Sequence, residues 1–249
     1  MACCSTSSSK VNELALIALT FPIPMYHIAP QYEKMNSFYV LYRFRSSICV
    51  NDNLVDVLQT VYHTLLLHSN DKSELDNVAD LIKDSVKSEK LQSEPYVPID
   101  TIPMHTLFLN DFRPTTDAKS GLIRFNKHDI PFGSMRAYFH RLSIAPFAGV
   151  TRMTTFVIRP QNLKILPELS LVLFEDSFIN YASATSKGSI MPYASWEAVK
   201  NYEIPLFSEA DYRKLKSLFT KTFEVVYLNN LEISNLTNIR DVLLSKSIN

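Results

Sequence analysis

The 249-residue sequence holds only four glycines, Gly121, Gly133, Gly149 and Gly188, and none lies outside residues 121–188. Glycine marks places where the backbone must turn through conformations closed to other residues. Flanks without it are therefore expected to be largely helical, and the centre to turn often. Cysteine is as sparse. Cys3, Cys4 and Cys49 form an odd set with two members adjacent, which excludes a disulfide framework and suits a reducing compartment. The Cys3–Cys4 pair has no second Cys/His pair at zinc spacing and reads as inert. No run approaches the roughly 18 apolar residues that a membrane span needs. The opening MACCSTSSSK has no apolar signal region. Cytoplasm is the expected location, with no membrane partner. Lys+Arg and Asp+Glu both number 25, so net charge selects no partner either.

Catalytic motifs are also lacking. There is no P-loop, GxGxxG, HExxH or GxSxG, and the six histidines are scattered, with His63 and His68 expected on the surface at a helix end. No catalytic or metal-ligating residue is assigned, and the expectation is a non-enzyme.

What the sequence does contain is a repeat. FPIPMYHIAPQYEKM (21–35) has a counterpart in YEIPLFSEADYRKL (202–215), and VNELALIALTF ahead of the first resembles YASWEAVKNYE ahead of the second. Further on, NDNLVDVLQTVYHTLL (51–66) lies over NNLEISNLTNIRDVLL (229–244). In the first copy Ile48, Asn51, Val55, Leu58, Tyr62 and Leu65 recur at spacings of 3 and 4. Val226, Asn229, Ile233, Leu236, Arg240 and Leu243 do so in the second. That spacing is a helical seam near the coiled-coil period. An Asn at the same seam position in both copies is the kind of polar residue that fixes register; two solvent-facing Asn residues are the plainer alternative. Each Ile-Pro predicts an extended lead-in. Ser208 is placed to cap the second helix, with Glu209 and Asp211 in its first turn. Residues 31–67 and 208–245 are thus expected to be long helices packed antiparallel.

Between the copies lies a domain-sized stretch of mixed pattern. ELDNVADLIKDSV leaves a short helix or a lead-in strand open. GLIRFNKHDI, AYFHRLSIAPF and TTFVIRP read as strands, while LPELSLVLFEDSFINYAS and SWEAVKNY read as helices. Charge is uneven here. From 113 to 164 nine basic residues (Arg113, Lys119, Arg124, Lys127, Arg136, Arg141, Arg152, Arg159, Lys164) face two acidic ones (Asp117, Asp129), a local charge of +7. A basic stretch interleaved with aromatics suits contact with phosphates and base edges. A solvated face that balances acidic helices is the alternative on charge alone.

FNKHDIPFGSMRAYFHRLSIAPFAGVTRMTTFVIRP (125–160), YASATSKGSIMPYASWEAVKNYEIPL (181–206) and the terminal LTNIRDVLLSKSI together resemble type I restriction–modification specificity subunits. The first stretch resembles the target recognition domain, the second its exit into a conserved helical region, and the third the end of that region. The likeness spans most of the chain, in order and spacing. It departs from the family at Met25 and Leu206, where a second proline is usual. It also departs at Ile130-Pro131, which suggests a strand that starts late, and in having one recognition domain rather than two.

The resemblance implies an α+β fold: one mixed α/β target recognition domain flanked by two long helices packed as an antiparallel coiled coil. The implied divisions are 1–22, a remnant of a preceding recognition domain; 23–72, the first conserved helical region; 73–203, the target recognition domain; and 204–249, the second helical region. The implied role is non-catalytic recognition of half of a bipartite double-stranded DNA target. Modification (methyltransferase) subunits would dock on the helices and bind the S-adenosylmethionine, and a restriction subunit can join them. Arg113, Arg124, Lys127, Arg136, His140, Arg141 and Lys187 are the expected DNA contacts, with Arg124, Lys127, Arg136 and Arg141 on one face. The seam residues would hold the helices, or join two copies as a homodimer. The rival expectations are a non-functional gene fragment and a helical protein-interaction scaffold without a DNA role.

Overall fold

The computed structural model describes residues 31–247, apart from 70, 92, 119, 120 and 189. The expected remnant at 1–22, Ile23-Pro24 and Lys119 lie outside the described residues, as does the side chain of Leu243. Two long helices dominate, α1 (Gln31–Leu66) and, at the other end of the chain, α5 (Glu209–Ser247). Neither contains glycine or proline, and at about 1.5 Å per residue each is over 50 Å long. Ser208 opens α5 as a cap. Its Oγ accepts the Asp211 N–H at 3.2 Å and donates to the Asp211 carboxylate at 2.9 Å, satisfying a donor that the first turn leaves unpaired.

The helices run antiparallel within one chain. Arg43 donates to Glu232 at 2.6 Å, Asn51 meets Asn229 and Asn230, and the Tyr62 ring lies 5.8 Å from Phe207, just ahead of α5. Residue numbers rise along α1 as they fall along α5. The Asn cluster is reciprocal: Asn51 Nδ2 donates to Asn230 Oδ1 at 3.0 Å, and Asn229 Nδ2 donates to Asn51 Oδ1 at 2.8 Å.

One seam residue departs from expectation. Ile48 is 38% exposed, and Ser47 lies buried in its place, donating to Glu232 Oε2 at 3.3 Å. The cause is a change in what covers α1 along its length. Ile48, Val55 and Tyr62 share one seven-residue lane. That lane passes from exposed at Ile48 through half-buried at Val55 to 1% exposed at Tyr62. Far from the central domain α1 has only α5 to pack on; near the domain its second face is covered too. Leu58 and Leu65 are buried in the neighbouring lane, as are Val226 and Leu236 on α5, and Ile233 is half-buried.

A two-stranded ribbon joins the exit of α1 to the approach of α5. β1 (Asp71–Glu74) pairs antiparallel with β9 (Glu203–Leu206), from Asp71 opposite Leu206 to Glu74 opposite Glu203. Ile204-Pro205 therefore lies extended, as proline favours at the residue before it, with Ile204 fully buried.

The elements between build two small sheets. β2 (Ala79–Leu81), β8 (Thr155–Pro160) and β6 (Ile130–Gly133) form one, in the order β2-β8-β6. β3 (Ser85–Val86), β5 (Leu122–Phe125), β7 (Gly149–Arg152) and β4 (Tyr96–Val97) form the other, all antiparallel except β4 with β7. Helices α2 (Leu166–Phe174), α3 (Asp176–Ala184) and α4 (Trp196–Val199) follow. Every residue of α2 is buried, as a helix that is apolar all round requires. The main core unites Leu58, Tyr62, Ile130, Phe132, Ile158, Leu169, Phe178, Leu215 and Phe223, so the domain and the helix pair share one interior. The fold class is α+β.

Two expectations in the centre change. ELDNVADLIKDSV, left open, forms a 3-10 turn at Leu75–Asn77 and then β2 and β3. AYFHRLSIAPF is not a strand at its start: Ala137–Phe139 is a 3-10 turn between Arg136 and His140, both left-handed at φ 52° and 51°. A left-handed residue at each end breaks strand geometry. Ile130-Pro131 does not delay β6, which begins at Ile130. The missing Pro131 N–H is tolerated because β6 is the edge strand of its sheet.

Glu168 is the one carboxylate inside α2, 3% exposed, and its Oε1 accepts the Phe207 N–H at 3.0 Å where the chain turns into α5. Burial outweighs that bond and raises its pKa from the ordinary 4.5 to about 7. The charged form is penalised only in the folded state. The stability from this group is thus intact below pH 4.5 and lost as pH rises to about 7. In Glu168→Gln the amide oxygen keeps the Phe207 bond without ionising. Denaturant titrations from pH 4.5 to 7.5 should show wild type losing on the order of 2–3 kcal/mol relative to this variant; parallel profiles would contradict the assignment.

Candidate nucleic-acid interface

Beyond the edge of β6 three segments converge. Ser134 donates to the Thr154 carbonyl at 2.6 Å and its own carbonyl accepts the Ala194 N–H at 2.8 Å. Arg136 N–H donates to the Pro192 carbonyl at 2.8 Å, and Tyr193 bridges both Met135 and Lys187. Gly133 lets Ile99 and Arg141 close on the end of β6, since a Cβ there would meet the Ile99 side chain at 3.1 Å and Arg141 Cβ at 3.3 Å. Gly188, at φ +93°, turns the third segment.

This arrangement presents an apolar and aromatic surface with two cations. The turn buries Ala137 and leaves Tyr138 and Phe139 exposed, their rings 4.9 Å apart. Met153, Met191 and Tyr193 are exposed and line one hollow with Met135, and Ile190 is 86% exposed. Arg136 and Lys187 are exposed and carry no ion pair among the described residues. Left-handed backbone at a non-glycine residue is held only where its surroundings over-determine it, and such sites cluster at functional positions. Arg136 is one.

The other expected DNA contacts have partners within the fold, and Arg113 and Arg141 share Asp100. Arg113 pairs with Asp100, and Arg124 lies 3.7 Å from Glu94. Lys127 sits over the Phe223 ring of α5 at 5.8 Å. Arg141 donates from one nitrogen to the carbonyls of Ile99 (3.2 Å), Asp100 (3.0 Å) and Ile102. His140 is 3% exposed. Arg124, Lys127 and Arg141 thus each have a partner within the fold, and Arg141 is committed to backbone. Elsewhere in the basic stretch, Arg159 forks onto the buried Asp129 with two 2.7 Å bonds, and Arg152 donates to the Tyr96 hydroxyl at 2.8 Å. Much of the +7 stretch thus holds loops together, with acidic or carbonyl partners drawn from distant sequence.

Burial lowers the pKa of His140, with the neighbouring His105 adding to the effect and Asp176 opposing it. His105, set aside among scattered histidines, meets His140 with the rings tilted at 54° and centroids 4.4 Å apart. Sequence reasoning missed Tyr138, Phe139, Met191 and Tyr193. The signal available was an aromatic pair two residues after Arg136, in MRAYF.

Solved structures similar to this chain include type I restriction–modification proteins. The S subunit from M. genitalium is matched over 87% of this chain and 60% of its own, with a TM-score of 0.58 and 16% identity. The HsdS subunit from Thermoanaerobacter tengcongensis (87% and 56%, TM-score 0.43, 14% identity) is also similar. So is a chain from a structure of type I R-M complex assembly and conformational transition (95% and 67%, TM-score 0.45, 15% identity). No family model matches, and no curated protein does. The fold is that of a type I restriction–modification S subunit, and the chain spans about 60% of that M. genitalium subunit's length. No described helix is long and apolar enough to cross a membrane.

Arg141→Ala removes the donor to three loop carbonyls and should destabilise the fold by at least about 2 kcal/mol, as charged donors do. Arg136→Ala removes no such bond and should fall within about 0.5 kcal/mol of wild type. Urea unfolding of both variants checks the contrast; equal losses would contradict it.

Proposed function

We propose that this chain is a non-catalytic DNA sequence-specificity subunit of a type I restriction–modification methyltransferase. One observation carries the reading: a single mixed α+β unit held between two antiparallel helices, in a chain whose fold matches the M. genitalium S subunit over 87% of its residues. Residues 73–203 are the target recognition domain, and 23–72 and 204–249 the helical regions. With one reader the chain recognises half of a bipartite double-stranded target. Arg136 and Lys187 hold phosphates or base edges, while Tyr138, Phe139 and Tyr193 lie against the groove. Arg113, Arg124 and Arg141 shape the loops behind them.

The helix seam is occupied within one chain, so partners meet the outer faces. On α1 these carry exposed Tyr39, Leu41, Ile48 and Val50; on α5, Leu228, Leu231 and Val242. Modification subunits dock there and bring the S-adenosylmethionine, and the restriction subunit joins through them. A second copy on the same faces gives twofold symmetry, the common outcome for identical chains, and turns the target into an interrupted palindrome. Location in the cytoplasm follows from the role.

Methylome sequencing of cells that express a cognate modification subunit, with and without this chain, tests the role. Methylated adenines in a bipartite motif should appear only with the chain. An asymmetric motif would overturn the homodimer, and no motif at all would overturn the function. In the purified complex, replacing Arg136 and Lys187 by alanine should weaken DNA binding. The dependence of log K on log salt should become shallower by about 0.9 for each phosphate that is no longer neutralised. An unchanged slope would remove these residues from the interface.

A further inference from the structure

His105, His140 and Asp176 bring their ligand atoms within 4.8 Å of one another, the one such group among the described residues. They come from three separate segments: the loop after β4, the end of the 3-10 turn, and the first residue of α3. His140 is 3% exposed, with Asp176 Oδ1 3.2 Å from its Nδ1 and the Phe174 backbone as a second partner. A buried imidazole is costly unless its nitrogens are engaged, and one cation placed among the three side chains engages both rings and the carboxylate at once. Its ring is fixed from both sides, edge-on to Phe174 at 4.9 Å and against His105. The His105 N–H donates to the His140 carbonyl at 3.1 Å, so the two backbones are tied as well.

We infer that this cluster is a divalent transition-metal site, with His105, His140 and Asp176 as ligands and water in the fourth position. Two imidazoles and a carboxylate suit zinc and its first-row neighbours, not calcium or magnesium, which want all-oxygen sets. Tetrahedral ligands at bond lengths near 2.1 Å stand about 3.4 Å apart. The cluster must therefore contract by about an ångström, and exposed His105 and Asp176 are the side chains able to move. Ligation would pin the Arg136–His140 turn to the start of α3 and to the 105 loop. The site stands on its own geometry and does not depend on the chain's binding DNA.

The test uses the full chain with Cys3, Cys4 and Cys49 replaced by serine, so that thiols cannot supply the site. Equilibrium dialysis against micromolar zinc, followed by metal analysis, should give one zinc per chain. Cobalt substitution should give the visible bands of a four-coordinate site, without a thiolate charge-transfer band. His105→Asn, which tolerates left-handed backbone, and Asp176→Asn alter exposed groups and should leave folding intact by circular dichroism. Even a group that only supports a ligand is worth about 10–100-fold in metal affinity, so loss of either ligand should weaken binding by at least tenfold. Failure of the parent chain to bind zinc, or undiminished binding by both variants, would overturn the site.

Discussion

One side-chain amide fixes the geometry on which the other features depend. Asn51 is held on one side by Asn229 and on the other by Asn230, midway along a contact that is otherwise largely apolar. A slip of α1 along α5 would leave these half-buried amides unpaired, at a cost of about 1–3 kcal/mol for each unsatisfied group. Leucine pairs would tolerate such a slip far better. Further from the domain, Glu232 accepts from Arg43 and Ser47 and repeats the constraint. Nearer the domain, the β1–β9 ribbon closes the pair. Register is thus set at three levels along the helices.

That register also places the loop cluster around Arg136. α2 packs against both helices and Glu168 binds the turn into α5, so the domain and the helix pair form one body through a shared core. The loop cluster with Arg136, Tyr138 and Lys187 stands on β6 and β8, the strands that face that core. Any partner bound on the outer helix faces would therefore lie at a defined position relative to these loops. The proposed role of positioning a separate catalyst needs this rigidity, and Arg141, Arg152 and Arg159 contribute to it by tying loops together.

The helices were legible in the sequence because their signal is periodic and local. Spacings of 3 and 4 placed Asn51 opposite Asn229 without knowledge of the fold, and Ser208 was legible as a cap from its neighbours alone. Ile48 was misassigned because the seam period cannot tell which lane a distant domain will cover. The 3-10 turn at Ala137–Phe139 was hidden because AYF has good strand propensity, and the left-handed residues beside it are imposed by tertiary contacts with Pro192 and His105. The basic stretch misled because composition counts charges and not their partners: Asp100 and Glu94 lie before the stretch begins. His105 and His140 are 35 residues apart in sequence, and only the fold brings them together.

The central claim is that the two helices close on each other within one chain, in the register set by Asn51. Cross-linking tests it directly. In a chain with Cys3, Cys4 and Cys49 replaced by serine, Ser47→Cys with Glu232→Cys, whose side chains meet at 3.3 Å and which leaves the Asn cluster in place, should be joined by a short thiol reagent at monomer mass, in dilute protein. Ser47→Cys with Ile239→Cys, about 10 Å further along α5, should not. Equal reaction of both pairs, or cross-links found only between chains, would contradict the account.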